Sequence, residues 1–498
     1  MALVPPTAGY ALMVIALFLL PFQTSWSVFV CRTVRNFSDV SCVVIVIGGS
    51  MCDTAKSVSC AIRFVLHFVW TLIIGLESTA LVIRVSKTTG HDNSSCLLSN
   101  ASRPCKTVAF ALNATEDNRN RNETGFTFSI EDQVYSLEER VHITQTSPNK
   151  SIDLKSSHSN GSNVRCVDAY AGIEIGSRAA SHINKTRNIN FINLQFENCG
   201  PHFAAVVIIW NSVDINFTNC VFKYNRQGGI NAFDSGVTID GCLFLNNTSN
   251  GYNSSEKFKE GITTAGGGAG FLFRDSVSLY LIIRGSIFTF NSAVTNDSAD
   301  FVAPSSDVNH FVSSGGGLVV VFLKKTNHCG IVIEDSIFSN NSATFGGGVY
   351  FAETNMASQN NFSITNSSFT RNTAGQTGGG LLFSQWDYAS SITTIFKNCT
   401  VSENQSRRGA GMNVFLMNYD QTPNDSVLKF DTVVFSNNVG DASTAIRFTT
   451  ALPYGSTMDV TPEFINCTIE DHSMSSFAHT SPFTSQRVNL KFIGNNIF

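Results

Sequence analysis

The chain has 498 residues, a formal net charge of −4 and only 14% charged residues. That balance offers no electrostatic handle for nucleic acid or for an anionic membrane surface. The length suits either two or three ordinary domains or one long solenoid. Phe, Gly, Asn, Ser and Thr are abundant, a composition that favours short strands joined by turns.

Two apolar segments open the chain, Ala11 to Phe22 and Phe64 to Leu76. Each has the length of a signal-peptide core and is short for a membrane span. The second follows Lys56 and Arg63, and Ser78 and Ala80 supply a small-x-small cleavage pattern. Residues 1–80 are therefore expected to be a leader, with Met51 to Ala80 as the working signal. Two uncleaved anchors are the alternative, and membrane contact is expected only through these segments.

Of the 13 cysteines, Cys31, Cys42, Cys52 and Cys60 fall within that leader. Cys96 and Cys105 follow closely in "DNSSCLLSNASRPCKTVAFAL", and in a secretory context they are expected to pair as a local disulfide. No CxxC or Cys/His cluster has zinc spacing, so no metal site and no cofactor are expected. Sequons of the form N-x-[ST] are dense. Asn93, Asn113, Asn247, Asn253, Asn296, Asn340, Asn404 and Asn424 are the glycosylation candidates, in keeping with a secreted or cell-surface protein.

From residue 161 the chain repeats. "INFTNCVFKYN" (Ile215 to Asn225), "VTIDGCLFLNN" (Val237 to Asn247), "IVIEDSIFSNN" (Ile331 to Asn341) and "FSITNSSFTRN" (Phe362 to Asn372) share one pattern. It reads apolar, x, apolar, x, turn residue, small, x, Phe, x, x, Asn. Several copies are followed by glycines and a second apolar alternation, as in "GGGLVVVF" (Gly315 to Phe322), "GGGVYF" (Gly346 to Phe351) and "GGGLLF" (Gly378 to Phe383). Alternation with period two and no helical stripe marks strands. A fixed core with variable polar inserts marks a solenoid. The pattern predicts a right-handed, single-stranded parallel β-helix of three short strands per rung and about ten rungs over 161–498, after an entry segment at 81–160.

Three columns follow from stacking the copies. Asn193, Asn219, Gly241, Gly285, Asp335, Asn366, Asn398 and Asn466 are expected at a bend that needs positive φ. Leu194, Cys220, Cys242, Ser286, Ser336, Ser367, Cys399, Val433 and Cys467 are expected to point inward beside it. Cys220 and Cys242 would be rung neighbours, either as buried thiols or as a disulfide. Phe196, Phe222, Phe244, Phe288, Phe338, Phe369 and Phe435 form an aromatic core column, with Val401 and Ile469 as exceptions.

The paired signatures "FSNN", "FTRN" and "GGGV", "GGGL" resemble the FxxN and GGA[ILV] repeats of polymorphic outer-membrane proteins, and more broadly right-handed β-helix proteins of the pectin-lyase-like group. "RVSKTTGHDNSSCLLSNASRPCKTVAFAL" (Arg84 to Leu112) resembles the entry segment of extracellular β-helix proteins. The resemblance implies the fold over roughly Ile83 to Phe498. It says little about function, which belongs to sites and not to folds.

Catalysis on polysaccharide would need clustered carboxylates, or an Arg or Lys base. Asp240 and Glu334 share a column on rungs that are not neighbours, and Asp214 and Asp234 are out of register. His182 and Arg187 are expected on a solvated loop, so no catalytic residue is assigned. The glycine clusters lack the GxxxxGK[ST] of a phosphate loop. The expected function is a non-catalytic extracellular glycoprotein, adhesin-like or matrix-like, displaying the loops at 250–265, 296–313 and 416–426 to carbohydrate or a cell-surface protein. The alternative is a polysaccharide lyase or glycoside hydrolase.

Overall fold

The structure is a computed structural model. It describes residues 80–497 apart from 98–102, 118–124, 145–149, 168–171, 178–184, 200–204, 250–265, 294–313, 354–356, 386–390, 418–425, 442–444, 452–460, 471–476 and 481–489, together with the backbone of 13–18, 25–33 and 40–48. The chain divides into two units, Met1–Ser78 and Thr79–Phe498. In the first, strands Met13–Phe18, Ser25–Thr33 and Val40–Gly48 form an antiparallel sheet with the second in the middle. The second apolar segment and the expected signal from Met51 lie outside the described residues, save Ala80.

The second unit is a right-handed parallel β-helix. Sheet A has 13 strands from Leu81–Val85 to Lys491–Ile493. Sheet B has 11, from Val134–Leu137 to Thr468–Glu470, and sheet D has 11, from Arg140–Ile143 to Phe477–Thr480. Between B and D lies sheet C, a short sheet of six strands from Thr248–Ser249 to Val439–Gly440. In the repeat region, turns that carry a strand of sheet C run A, B, C, D, and the turns before it run A, B, D. The expectation of three strands per rung is corrected to four where sheet C forms. Two-residue strands such as Ser292–Ala293 are too short to show a period in the sequence. Sheet A has ten strands from Thr186–Ile192 onward, as expected for 161–498, and three more within the entry segment.

Register is set by identical contacts between rungs. Phe222, Phe244, Phe288, Phe338 and Phe369 are direct partners in sheet B, and their rings stack at centroid distances of 4.8, 4.3, 4.7 and 5.2 Å. All five are fully buried. Such a column adds directed ring contacts to the burial of apolar area. A one-residue slip would turn each ring out to solvent.

The A-to-B bend is left-handed as expected, from Asn193 (φ 55°) to Asn466 (φ 51°). The inward column beside it is buried throughout, and its hydroxyls satisfy the backbone of the preceding rung: the amides of Ser286 and Ser336 donate to Ser336 Oγ and Ser367 Oγ, each at 3.2 Å. Cys220 and Cys242 take serine's place as buried free thiols, the Cys220 amide donating to Cys242 Sγ at 3.3 Å. At the C-to-D bend Gly346 has φ +63°, and a Cβ on Gly348 would come 2.5 Å from the Gly380 carbonyl oxygen. Glycine is required there because the rungs touch through backbone.

The entry segment covers the first rung. Cys96 and Cys105 form the expected disulfide. The amides of Lys106 and Thr107 donate to Asp92 Oδ1 at 2.8 and 2.9 Å. Thr107 Oγ1 accepts from the Phe110 amide at 3.1 Å, capping helix Val108–Asp117. Tyr135 Oη accepts from the Val108 amide at 3.0 Å, and burial pushes its pKa up to about 12.

Candidate functional site

The last residue of the repeat pattern does not face the solvent. Asn225, Asn247, Asn291, Asn341, Asn372, Asn404 and Asn438 are all buried. Each of the first six donates its Nδ2 to the Oδ1 of the next, at 2.9–3.1 Å. Each also donates to a main-chain carbonyl of the preceding rung, as Asn341 does to Phe288 O at 2.9 Å. Their Oδ1 atoms accept the preceding Asn amide, as Asn372 Oδ1 does from the Asn341 N–H at 3.0 Å. Asparagine is the short side chain carrying both donor and acceptor at this reach. The glycosylation candidates Asn247 and Asn404 are therefore corrected to core positions, because a glycan on Nδ2 has no room in this ladder. Asn93 and Asn113 are exposed and Asn340 is half-buried, whereas Asn253, Asn296 and Asn424 lie outside the described residues. A second disulfide, Cys166–Cys199, was not anticipated. Cys199 heads the ladder, its amide donating to Asn225 Oδ1 at 2.9 Å.

Functional groups must then be sought on the outer faces. Along the first half of sheet A, outward polar residues repeat at rung spacing. Asn190 Nδ2 donates to Asp153 Oδ1 at 2.7 Å, and Asn216 Nδ2 donates to Asn190 Oδ1 at 2.8 Å. Thr127, itself buried, precedes them at 3.4 Å from Asp153, and the half-buried Thr238 follows in register with Asn216. Further along, Tyr280 is 53% exposed and its ring covers Gly330, where a Cβ would come 2.7 Å from it. The 13 strands give this face a length of about 58 Å at the spacing of neighbouring strands. It is a long, open, hydrogen-bonding strip with one aromatic platform.

The carboxylates on this strip are engaged rather than paired for acid–base work. Asp240, Arg284 and Glu334 form one column in consecutive rungs, and Arg284 Nε donates to Glu334 Oε2 at 2.9 Å. The two carboxylates noted in the sequence are thus kept apart by a cation. Asp214 lies at a left-handed bend (φ 57°) on sheet A. Asp234 lies at the D-to-A bend (φ 50°), accepting from Ser276 Oγ at 2.6 Å and from the Arg274 amide. Burial lowers the pKa of nearby Lys185, and the Asp234 charge opposes it. His182 lies outside the described residues, and Arg187 is half-buried on sheet A. No group of three or more His, Cys, Asp or Glu that could hold a metal occurs among the described residues.

Sheet D differs. Its outward residues Leu272, Val319, Val321, Leu323, Tyr350, Ala352 and Leu382 form a second buried apolar cluster, which explains strands such as Leu318–Leu323 that are buried on both faces. Trp210 and Phe233 stack at 4.0 Å nearer its start. Inside the coil, Glu353 is fully buried, and neither carboxyl oxygen has a hydrogen-bond partner of good geometry. Burial raises its pKa well above the usual carboxylate range, which the Asn360 amide alongside only partly offsets. Burial thus favours the neutral form of this side chain. Nothing in "VYFAETN" distinguishes it from a solvated strand end.

No family model and no curated protein sequence matches the chain. Among solved structures, the chain is similar to Geobacillus virus E2 ORF18, with 11% identity, TM-score 0.38 and coverage of 94% of this chain and 68% of that one. A protein titled glycoside hydrolase follows, at 10% identity and TM-score 0.31, covering 82% and 96%. The Dettilon tailspike protein gp208 stands at 11% identity and TM-score 0.33, covering 83% and 68%. Likenesses at this level bring no residue of a site across.

Proposed function

We propose that the chain is a non-catalytic extracellular β-helix glycoprotein, an adhesin-like or matrix-like module that binds carbohydrate along the outer face of sheet A. The observation behind this reading is the run Thr127, Asp153, Asn190, Asn216. It places two amides and a carboxylate at constant spacing, half-buried on the outer face, with the buried Thr127 hydroxyl at their start. A linear chain of hydroxylated rings has a matching row of donors and acceptors, and Tyr280 adds a ring on which a sugar face can pack. Two disulfides suit an oxidising compartment. With the exposed sequon residues Asn93 and Asn113 they support secretion, through the leader proposed at residues 1–80. Among the described residues, no helix is long and apolar enough to cross a membrane.

Affinity electrophoresis of the purified chain through gels cast with soluble polysaccharides tests this. Retardation by at least one polysaccharide is expected, reduced at least tenfold in affinity by the pair Asn190→Ala and Asn216→Ala. Mass spectrometry of the same polysaccharide after prolonged incubation is expected to show no shortened chains. Time-dependent product would establish the enzymatic alternative instead.

A further inference from the structure

One position of the rung breaks the rule of its column without any gain to the fold. At the end of each sheet B strand, the residue immediately before Cys199 and before each ladder asparagine has positive φ: Asn198, Tyr224, Asn246, Phe290, Asn340, Arg371, Glu403 and Asn437. Asparagine tolerates this conformation, whereas a bulky aromatic there is an outlier. Arg371 and Glu403 are neighbours that pair with each other at 2.8 Å. Tyr224 and Phe290 are 46% and 55% exposed, with φ of 57° and 56°. Neither ring is in the core and both occupy strained backbone, and strain kept without packing gain points to function.

Their surroundings form a stripe. Val221, Leu243, Ile287 and Ile337 are register partners on the outer face of sheet B, and Ile287 and Ile337 are 38% and 42% exposed. Tyr224, Asn246 and Phe290 follow in consecutive rungs. The two aromatics therefore stand two strand spacings apart, about 9.6 Å along the coil axis, with an exposed amide between them.

We infer that this stripe is a second glycan site, separate from sheet A, that takes an extended β-1,4-linked polysaccharide lying along the coil axis. The span between the rings is that of one disaccharide in such a chain, so alternate sugars meet Tyr224 and Phe290 through the apolar C–H face of the ring. The sugar between them meets the Asn246 amide. A protein partner would need no such period, which is why a regular polymer fits better. The inference rests on the carbohydrate reading above but uses none of the sheet A residues.

The repeat itself supplies the test. Tyr224→Asn and Phe290→Asn install the residue that four sister rungs carry at this position, so both variants should fold with a melting temperature at or above that of the parent. The probe is a soluble β-1,4-linked glucan, titrated by calorimetry. The parent is expected to bind, each single variant to lose at least fivefold in affinity and the double variant to lose binding. The same losses at Tyr224 and Phe290 are expected when the titration is repeated in the Asn190→Ala and Asn216→Ala background, where the sheet A face is silenced. Unchanged binding in the double variant overturns the inference, as does a parent that binds other polysaccharides but not this one. That second outcome leaves the sheet A reading standing, whereas failure to bind any polysaccharide removes both. A parent that self-associates, with Phe290→Asn making it monomeric and glucan binding intact, would assign the stripe to a second copy instead.

Discussion

Two columns run side by side through the B-to-C bend, one residue apart in every rung, and they obey opposite rules. The inner one reads Asn225, Asn247, Asn291, Asn341, Asn372, Asn404, Asn438 without interruption, and every member is buried. The outer one reads Tyr224, Asn246, Phe290, Asn340, Arg371, Glu403, Asn437. Inside, each side chain must donate twice and accept from the preceding rung at a fixed spacing, which one residue type can do. Outside, the backbone asks only for tolerance of positive φ, so side chains are free to vary. Uniformity along a solenoid therefore marks stability, and departure from it marks recognition.

Substitutions can break or sharpen that contrast. The largest loss is expected in the aromatic column that the ladder flanks. Phe338→Ala removes a fully buried ring stacked on both sides and should cost about 3–5 kcal/mol, read as a fall in urea midpoint. Asn341→Ala comes next. It leaves Asn291 Nδ2 and the Phe288 and Asn372 acceptors without their partner, for about 2–4 kcal/mol. The adjacent Asn340→Ala should cost only about 1 kcal/mol, from the loss of asparagine's tolerance of the left-handed region. Equal effects at Asn340 and Asn341 would erase the distinction between the columns.

A smaller effect is expected at Glu353 and depends on pH. Burial holds its pKa in the fold above that in the unfolded chain. Its neutral form therefore contributes fully below the ordinary carboxyl range, and that contribution is lost as pH rises through the folded value. Glu353→Gln should match the parent in thermal stability near pH 4 and exceed it at pH 8. Parallel curves across that range would show that the buried carboxyl does not titrate with unfolding. The smallest effect is expected at the exposed Arg371–Glu403 pair, where Arg371→Ala should shift the melting temperature little and less at high salt.

The Phe column, the left-handed A-to-B bend and its small inward neighbours were legible because each is a residue type fixed by sterics at a constant offset. The asparagine ladder occupied the last place of the same pattern, yet asparagine suits a turn as well as a buried ladder. A repeat gives its position but not its direction, and Asn247 and Asn404 were assigned outward for that reason. Cys199 could have been found, since it stands three residues after Phe196, where the other copies place the ladder asparagine. Its partner Cys166 belongs to no recognisable copy. Tyr224 and Phe290 were visible as departures, in "FKYN" and "FTFN", but their significance needed the backbone conformation.

The claim that this coil binds carbohydrate without cleaving it is tested most directly by one experiment. The purified chain carrying Tyr224→Asn and Phe290→Asn, which silence the second site, would be incubated with the polysaccharide that retards it most in affinity gels, with binding and chain length followed together. Saturable binding that weakens in the pair Asn190→Ala and Asn216→Ala, with the polymer unshortened, is the expected result. Shortening of the polymer, or binding indifferent to both asparagines, would contradict the account.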